Sequence, residues 1–296
     1  MVTAVDLQRR LSEWYAEHER DLPWRRPGVT AWGVLVSEVM AQQTPVERVA
    51  PLWEEWMQRW PTPATLATAT PADVLRAWGR LGYPRRALRL LAAAVTITND
   101  FGGVVPSDES TLRTLPGVGE YTAAAVVAFA YAGRAVVLDT NVRRVLARVA
   151  GGAEFPPPHL AAAERRRAAD LLPAEPADSA RWNVAVMELG ATVCAARNPR
   201  CGTCPLSRDC AWVAAGKPPY DGPVRRRQSF TGTDRQVRGL IMAVLRDAQH
   251  PVARSTIDVV WPRAQQRNRA LDGLVADGLV EPLAGDLFRL PESSVP

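Results

Sequence analysis

Apolar residues recur at helical rather than alternating spacing through the first 215 residues, and Pro or Gly breaks the pattern every 10–20 residues. That pattern predicts a series of short helices. Residues 7–18 form an amphipathic first helix, and Asp21-Leu22-Pro23-Trp24-Arg25 is a loop. Residues 32–41 read as a buried helix starting near Thr30 or Ala31. Further helices are expected over 45–59, 71–78, 84–99 and 110–115, then a small-residue helix over 121–130. Extended apolar runs are scarce: Val136-Val137-Leu138 is the one short example, and it leads toward a helix after Asp139.

The pattern changes twice beyond residue 215. Residues 216–233 read as a linker, with Gly216, Pro218, Pro219, Gly222 and Pro223 ahead of Arg225-Arg226-Arg227. The arginine run suits a solvated tether or a phosphate-contacting arm. Residues 234–247, 253–259 and 262–276 then read as helices, the last carrying Arg263, Arg267 and Arg269. Two apolar pieces, 279–282 and 287–290, flank the turn Ala284-Gly285-Asp286. Three helices and a hairpin are the pattern of a winged helix. The alternative is a small packing domain that touches neither DNA nor protein.

Composition narrows the chemistry. A chain of 296 residues, 47% hydrophobic, has material for two or three cores. It shows no secretory signal and no long apolar run, so the expectation is a soluble cytoplasmic protein with no membrane partner. The net charge of +5 permits a polyanionic partner. Of the 36 basic residues 35 are Arg, and Lys217 is the single Lys. Amine chemistry therefore has almost no candidate.

All four cysteines fall in one stretch: Cys194, Cys201, Cys204 and Cys210, spaced C-x6-C-x2-C-x5-C. Such clustering is not a disulfide scaffold. Four thiolates suit a [4Fe–4S] cluster or a zinc ion, and the single C-x2-C pair favours the cluster. Leu115-Pro116-Gly117-Val118-Gly119 precedes the small-residue helix. Two glycines permit a tight turn, and a helix N-terminus suits a phosphate; an ordinary helix corner is the alternative. Asp139 lies twenty residues after Gly119 in Leu138-Asp139-Thr140-Asn141. It could cap a helix with one oxygen and turn the other into a cleft.

Together, the hairpin 115–119, Asp139 and the cysteine spacing resemble the helix-hairpin-helix DNA glycosylase superfamily. Within it the chain is more similar to the adenine DNA glycosylases (the MutY family) than to endonuclease III. Tyr121 stands where endonuclease III carries its catalytic lysine. Ser37-Glu38-Val39-Met40-Ala41-Gln42-Gln43-Thr44, Asp21–Arg25 and Leu81-Gly82-Tyr83 also match, and the resemblance covers residues 5–215.

The resemblance implies a mainly α, two-lobed helical fold with a cluster loop. Residues 1–29 and 134–215 would form the iron–sulfur domain, and 30–133 the helical barrel with the hairpin. Residues 216–233 would link these to a winged-helix-like domain over 234–296. It implies a monofunctional, monomeric enzyme that excises adenine mispaired with 8-oxoguanine or guanine from double-stranded DNA in bacterial base excision repair, at the nucleoid. Glu38, in an apolar helix that keeps it protonated, would be the general acid, and ionised Asp139 would stabilise the oxocarbenium ion. Tyr121 would hydrogen-bond near both, and Asn141 completes the candidate catalytic set. Arg20, Leu22, Trp24 and Arg25 would serve the adenine pocket. Gln42, Gln43 and Thr44 would act near the opposite base, and Tyr83 would enter the stack. Leu115, Gly117, Val118 and Gly119 would hold a phosphate. Arg197, Arg200 and Arg208 on the cysteine loop could contact others.

Three positions depart from the family: Ala41, Pro84 and Val184. Relatives are also expected to carry a Nudix-like C-terminal domain of over 100 residues, for which 234–296 is too short and too helical. That leaves open how the opposite base is read and which protein partner, if any, the C-terminal end has. The competing functions are a thymine or uracil mismatch glycosylase, against which Glu38 argues, and a non-catalytic DNA-binding iron–sulfur protein.

Overall fold

The computed structural model describes residues 3–223 and 230–293. Arg225-Arg226-Arg227 lie outside the described residues. The helices in chain order are α1 Ala4–His18, α2 Ala31–Ala41, α3 Val46–Arg59, α4 Pro63–Ala67 and α5 Pro71–Trp78. Next come α6 Arg85–Asp100, α7 Glu109–Leu112, α8 Glu120–Tyr131, α9 Thr140–Val149 and α10 Ala162–Leu171. The last are α11 Pro176–Thr192, α12 Ala211–Ala214, α13 Asp234–Asp247, α14 Arg254–Asp258 and α15 Ala264–Ala276. Short strands β1 Val252–Ala253, β2 Glu281–Leu283 and β3 Leu287–Arg289 form one sheet. Among the described residues no helix is long and apolar enough to cross a membrane.

The chain groups into two compact units. One takes in 1–35, 107–114 and 118–225; the other takes in 36–106, 115–117 and 226–296. The first unit's core packs one stripe from each of α1, α9 and α11. Leu7, Leu11 and Trp14 meet Val142, Val145 and Leu146, with Trp182, Val186 and Leu189 opposite. These spacings of three, four and seven residues are those of one helical face. Gly190 lets α11 approach α9 closely, since a Cβ there would stand 2.7 Å from Cβ of Asn141. Thr3 starts α1 with a reciprocal capping box to Asp6.

The second unit packs α6 against α4 and α5 around Leu66, Leu75, Trp78, Leu90 and Ile97. Trp56 meets Trp60 and Trp78 edge-on at 4.8 and 5.6 Å. The C-terminal module of this unit has the helix–strand–helix–helix–hairpin order of a winged helix. Val237, Ile241, Met242 and Leu245 of α13 bury one face, with Leu271 and Leu274 of α15 also buried. In the sheet β3 is central, pairing antiparallel with β1 and β2. Pro282 sits on β2, an edge strand, where its missing N–H does least harm.

The helix expectations hold to within a few residues, with α7 ending at Leu112 rather than 115. Val136-Val137-Leu138 is not a strand: Asn183 of α11 donates to the Ala135 carbonyl and accepts from the Val137 amide, replacing a ladder partner. Beyond the general helical pattern, the sequence reading gave no separate place to α4, α10, α11, α12 or β1; α4, α12 and β1 are too short to show a period.

Candidate functional site

In the first unit Asp139 caps α9. Its Oδ1 accepts from the Val142 amide at 2.6 Å and its Oδ2 from Asn141 Nδ2 at 2.8 Å. Burial pushes the carboxyl above the usual carboxylate range, against the Val142 and Asn141 hydrogen bonds and the positive charge of Arg144. Arg144 continues the chain of contacts. It donates to Asn141 Oδ1 at 2.8 Å, to the Gly190 carbonyl at 2.7 Å and to the Cys194 carbonyl at 2.8 Å. An unbroken polar path therefore runs from Asp139 to the backbone of the first cysteine.

The four cysteines line one cavity together with Arg148 and Trp212. Arg148 is buried between aromatic rings, 4.7 Å from Trp212 and 5.5 Å from Phe155. It donates to Cys194 Sγ at 3.3 Å and to the Ala195 carbonyl at 2.8 Å. Burial pushes the Cys204 thiol up to about 11 and raises Cys210 as well. Among the described residues, no three His, Cys, Asp or Glu side chains close on a single metal ion. Of the loop arginines, Arg197 and Arg208 are exposed, and Arg200 is spent on the Thr192 carbonyl.

Arg20 and Arg25 are brought together by Glu188, which sequence reasoning missed. Arg20 donates two hydrogen bonds to this fully buried carboxylate, and Arg25 donates one at 2.9 Å. Burial opposes the charge of Glu188, but the two guanidiniums outweigh it and hold its carboxyl below the usual range. Leu22 is buried beside them in sequence, and Trp24 is half-buried. Tyr121 is half-buried in the first turn of α8, against the small-residue cluster Ala124, Ala125 and Ala128.

The hairpin residues divide by role. Leu115 and Val118 are buried. Gly117 takes φ +80°, and a Cβ there would meet Arg89 at 2.8 Å. Gly119 does not need glycine for its own backbone: it is extended, at φ −96° and ψ −179°, with open space where a Cβ would be. Only one of the two glycines is thus required by the turn.

In the second unit Glu38 is 8% exposed on α2, among the buried Val36, Val39 and Met40. The following segment is held by Arg86, again unforeseen. Its guanidinium donates to the carbonyls of Val39 (2.9 Å), Met40 (3.2 Å), Gln42 (2.6 Å) and Gly82 (3.0 Å), and to the Thr44 hydroxyl (3.2 Å). Burial pulls Arg86 down to about 10, so it stays charged at neutral pH. It caps the carbonyl end of α2 as a cation should. Gln43 and Tyr83 project from this clamp in left-handed backbone, φ 56° and 47°, and Tyr83 is 44% exposed.

A signal for Arg86 and Glu188 existed only as charged residues on otherwise apolar helix faces. Apart from Gly82, four residues before Arg86 in sequence, their named partners lie 42–47 and 163–168 residues away.

Residues 36–169 match the model of the HhH-GPD superfamily of base excision DNA repair proteins. Over 285 residues the chain is 55% identical to an adenine DNA glycosylase of Mycobacterium tuberculosis, covering 95% of this chain and 92% of that one. It is 41% identical over 210 residues to the adenine DNA glycosylase of Homo sapiens, covering 68% of this chain and 38% of the human one. Among solved structures, a thermostable thymine-DNA glycosylase superposes with a TM-score of 0.65 at 25% identity, covering 72% of this chain and 97% of that one. The short C-terminal end is therefore no departure from the mycobacterial relative, whatever the longer human one carries.

Proposed function

The chain belongs to the adenine DNA glycosylases of the HhH-GPD superfamily of base excision DNA repair proteins, and from that premise we propose how its residues do the work. It excises adenine from DNA in base excision repair. The near-full-length likeness to the mycobacterial relative carries this reading over the thymine one.

Adenine inside a duplex is out of reach, so the nucleotide is flipped into a pocket served by Arg20, Leu22, Trp24 and Arg25. Glu38 gives a proton to the departing base while the C1′–N9 bond breaks, its electron pair leaving with adenine. Ionised Asp139 lies against the sugar cation, and Tyr121 and Asn141 fix the surroundings. Water then takes C1′, and its proton replaces the one lost by Glu38. Tyr121 stands where a Schiff-base lysine would be needed, and Lys217 is remote in sequence, so strand cleavage is not part of the reaction. Burial of Glu38 favours its neutral form, whereas at Asp139 the Val142 and Asn141 hydrogen bonds and the charge of Arg144 favour the carboxylate against the burial that raises it. The substrate is adenine opposite 8-oxoguanine or guanine, in the cytoplasm.

For the cysteines we propose a [4Fe–4S] cluster. Four sulfurs line one cavity, and a spacing with a single C-x2-C pair suits a polynuclear centre better than zinc. Burial disfavours the thiolates of Cys204 and Cys210, which a cationic centre among them would offset, and Arg148 donates to Cys194 Sγ at the same cavity. When bound, the cluster supplies a four-point cross-link of the loop.

Single-turnover excision on duplexes with A opposite 8-oxoguanine, G, C or T, before and after alkali, tests the reading. Alkali-dependent cleavage at A:8-oxoguanine well ahead of A:T is expected. Glu38→Gln should bind the same duplex and lose excision by a factor of about 100 or more; unchanged excision would remove Glu38 from the mechanism.

A further inference from the structure

A groove of about 850 Å³ lies within the second unit, bounded by residues 78–85 on one side and α13 on the other. Six arginines line it against one carboxylate, Asp277, which is already shared by Arg85 and Arg238. Among the described residues the other four, Arg48, Arg80, Arg235 and Arg246, form no ion pair. Arg246 is half-buried beside Arg80 and makes no hydrogen bond or ion pair among the described residues. Asp247, next in sequence, is the carboxylate whose charge reaches Arg246, but it forms no ion pair with it, so both guanidiniums keep donors for an anion from outside.

The groove also contains one of the three residues expected near the opposite base, Gln43, and the one expected to enter the stack, Tyr83. Gln43 and Tyr83 line it, and both are held at positive φ. Arg235 of α13 donates to the Tyr83 hydroxyl at 3.0 Å and packs over the rings of Tyr83 and Phe230 at 5.7 and 5.3 Å. By contrast, the helix that a winged helix ordinarily lays in a DNA groove has little charge to spare. Arg267 is bound to Asp258 at 2.9 Å and to the Trp261 carbonyl, and Arg269 to Asp234.

We propose that this groove is a DNA-binding site built jointly by α13 and the 79–85 segment: it holds the backbone of the strand opposite the excised adenine, with Arg80 and Arg246 taking a phosphate and Arg235 setting the pose of Tyr83 at the opposing base. The short C-terminal module then contributes to opposite-base discrimination from its first helix rather than from α15. The assignment rests on the adenine-excision reading for the identity of the strand. Arg235 is a positioning residue; Arg246 contacts DNA directly.

The test uses the full chain and a duplex with 2′-fluoro-2′-deoxyadenosine, whose glycosidic bond resists hydrolysis, opposite 8-oxoguanine. Fluorescence anisotropy across a salt series is run for the wild type, Arg246→Gln, Arg246→Lys, Arg235→Gln and Arg263→Gln. Arg246→Gln should bind about tenfold more weakly, with a salt slope shallower by about one, and Arg246→Lys should recover most of the loss. Arg235→Gln should bind within about threefold of the wild type while narrowing the ratio of single-turnover rates on A:8-oxoguanine and A:G by about tenfold. Arg263→Gln, on the exposed start of α15, should match the wild type in both. The proposal is overturned if Arg246→Gln and Arg235→Gln behave as wild type, or if Arg263→Gln falls with them. A wild type that releases no adenine would instead sink the adenine reading, while the anisotropy series would still report on the groove.

Discussion

Each unit has one segment held by buried arginines rather than by regular secondary structure, and the two are finished differently. In the second unit Arg86 satisfies five acceptors over residues 39–44 and 82 by itself. In the first, Arg144 and Arg148 gather the carbonyls of Cys194 and Ala195 but leave four sulfurs around a cavity. The Gln43–Tyr83 region is thus held by its own chain, whereas the cysteine loop is left with the cavity proposed to take the cluster. A guanidinium organises a loop by spending its donors on carbonyls; it cannot offset four thiolates.

The comparison can be broken most directly at Cys204. Cys204→Ala should remove the cluster's visible absorbance and destabilise the first unit by more than about 4 kcal/mol, while leaving the second unit's protection in hydrogen exchange intact. Equal loss in both units would erase the distinction. Next in size is Arg86→Met, which strands buried carbonyls and should cost about 4 kcal/mol with the cluster still bound. Its exchange signature should centre on 39–44 and 81–83.

Glu188→Gln should cost about 3 kcal/mol, because it leaves Arg20 and Arg25 without their buried countercharge. The folded carboxyl sits below its ordinary value of 4.5, so its contribution is fully present above that value and is lost as pH falls through the folded one. Denaturation followed between pH 3 and pH 7 should therefore show a shallower acid decline in Glu188→Gln. The smallest effect on the chemistry should come from Arg144→Met, a shift in the pH profile read beside the stability cost of stranding the Gly190 and Cys194 carbonyls. Asp139 is already raised by burial, and Arg144 opposes that rise. If excision runs through ionised Asp139 as proposed, the acid-side loss of rate should begin above the ordinary carboxylate range and move to higher pH in the variant. An unmoved acid limb would mean that the path from Asp139 to Cys194 carries no electrostatic weight.

Several features were legible because they are written in short windows. The limits of α13, the burial of Glu38 and the capping of α9 by Asp139 follow from periodicity and capping within a dozen residues. So does the cysteine set, whose spacing carries its chemistry. The winged-helix order was readable for the same reason, although two-residue β1 was not.

What the sequence by itself determined is therefore the helical framework, the grouping of the four cysteines and the two carboxyls proposed for the chemistry. Tertiary structure alone decided which arginine meets which acceptor. Glu188 gathers Arg20 and Arg25 from 163–168 residues away, Arg86 clamps a segment more than 40 residues back, and Arg235 reaches Tyr83 across 152. In a chain with 35 arginines, many partners are chemically equivalent in sequence. Only packing, by burying some guanidiniums and leaving others solvated, selects among them.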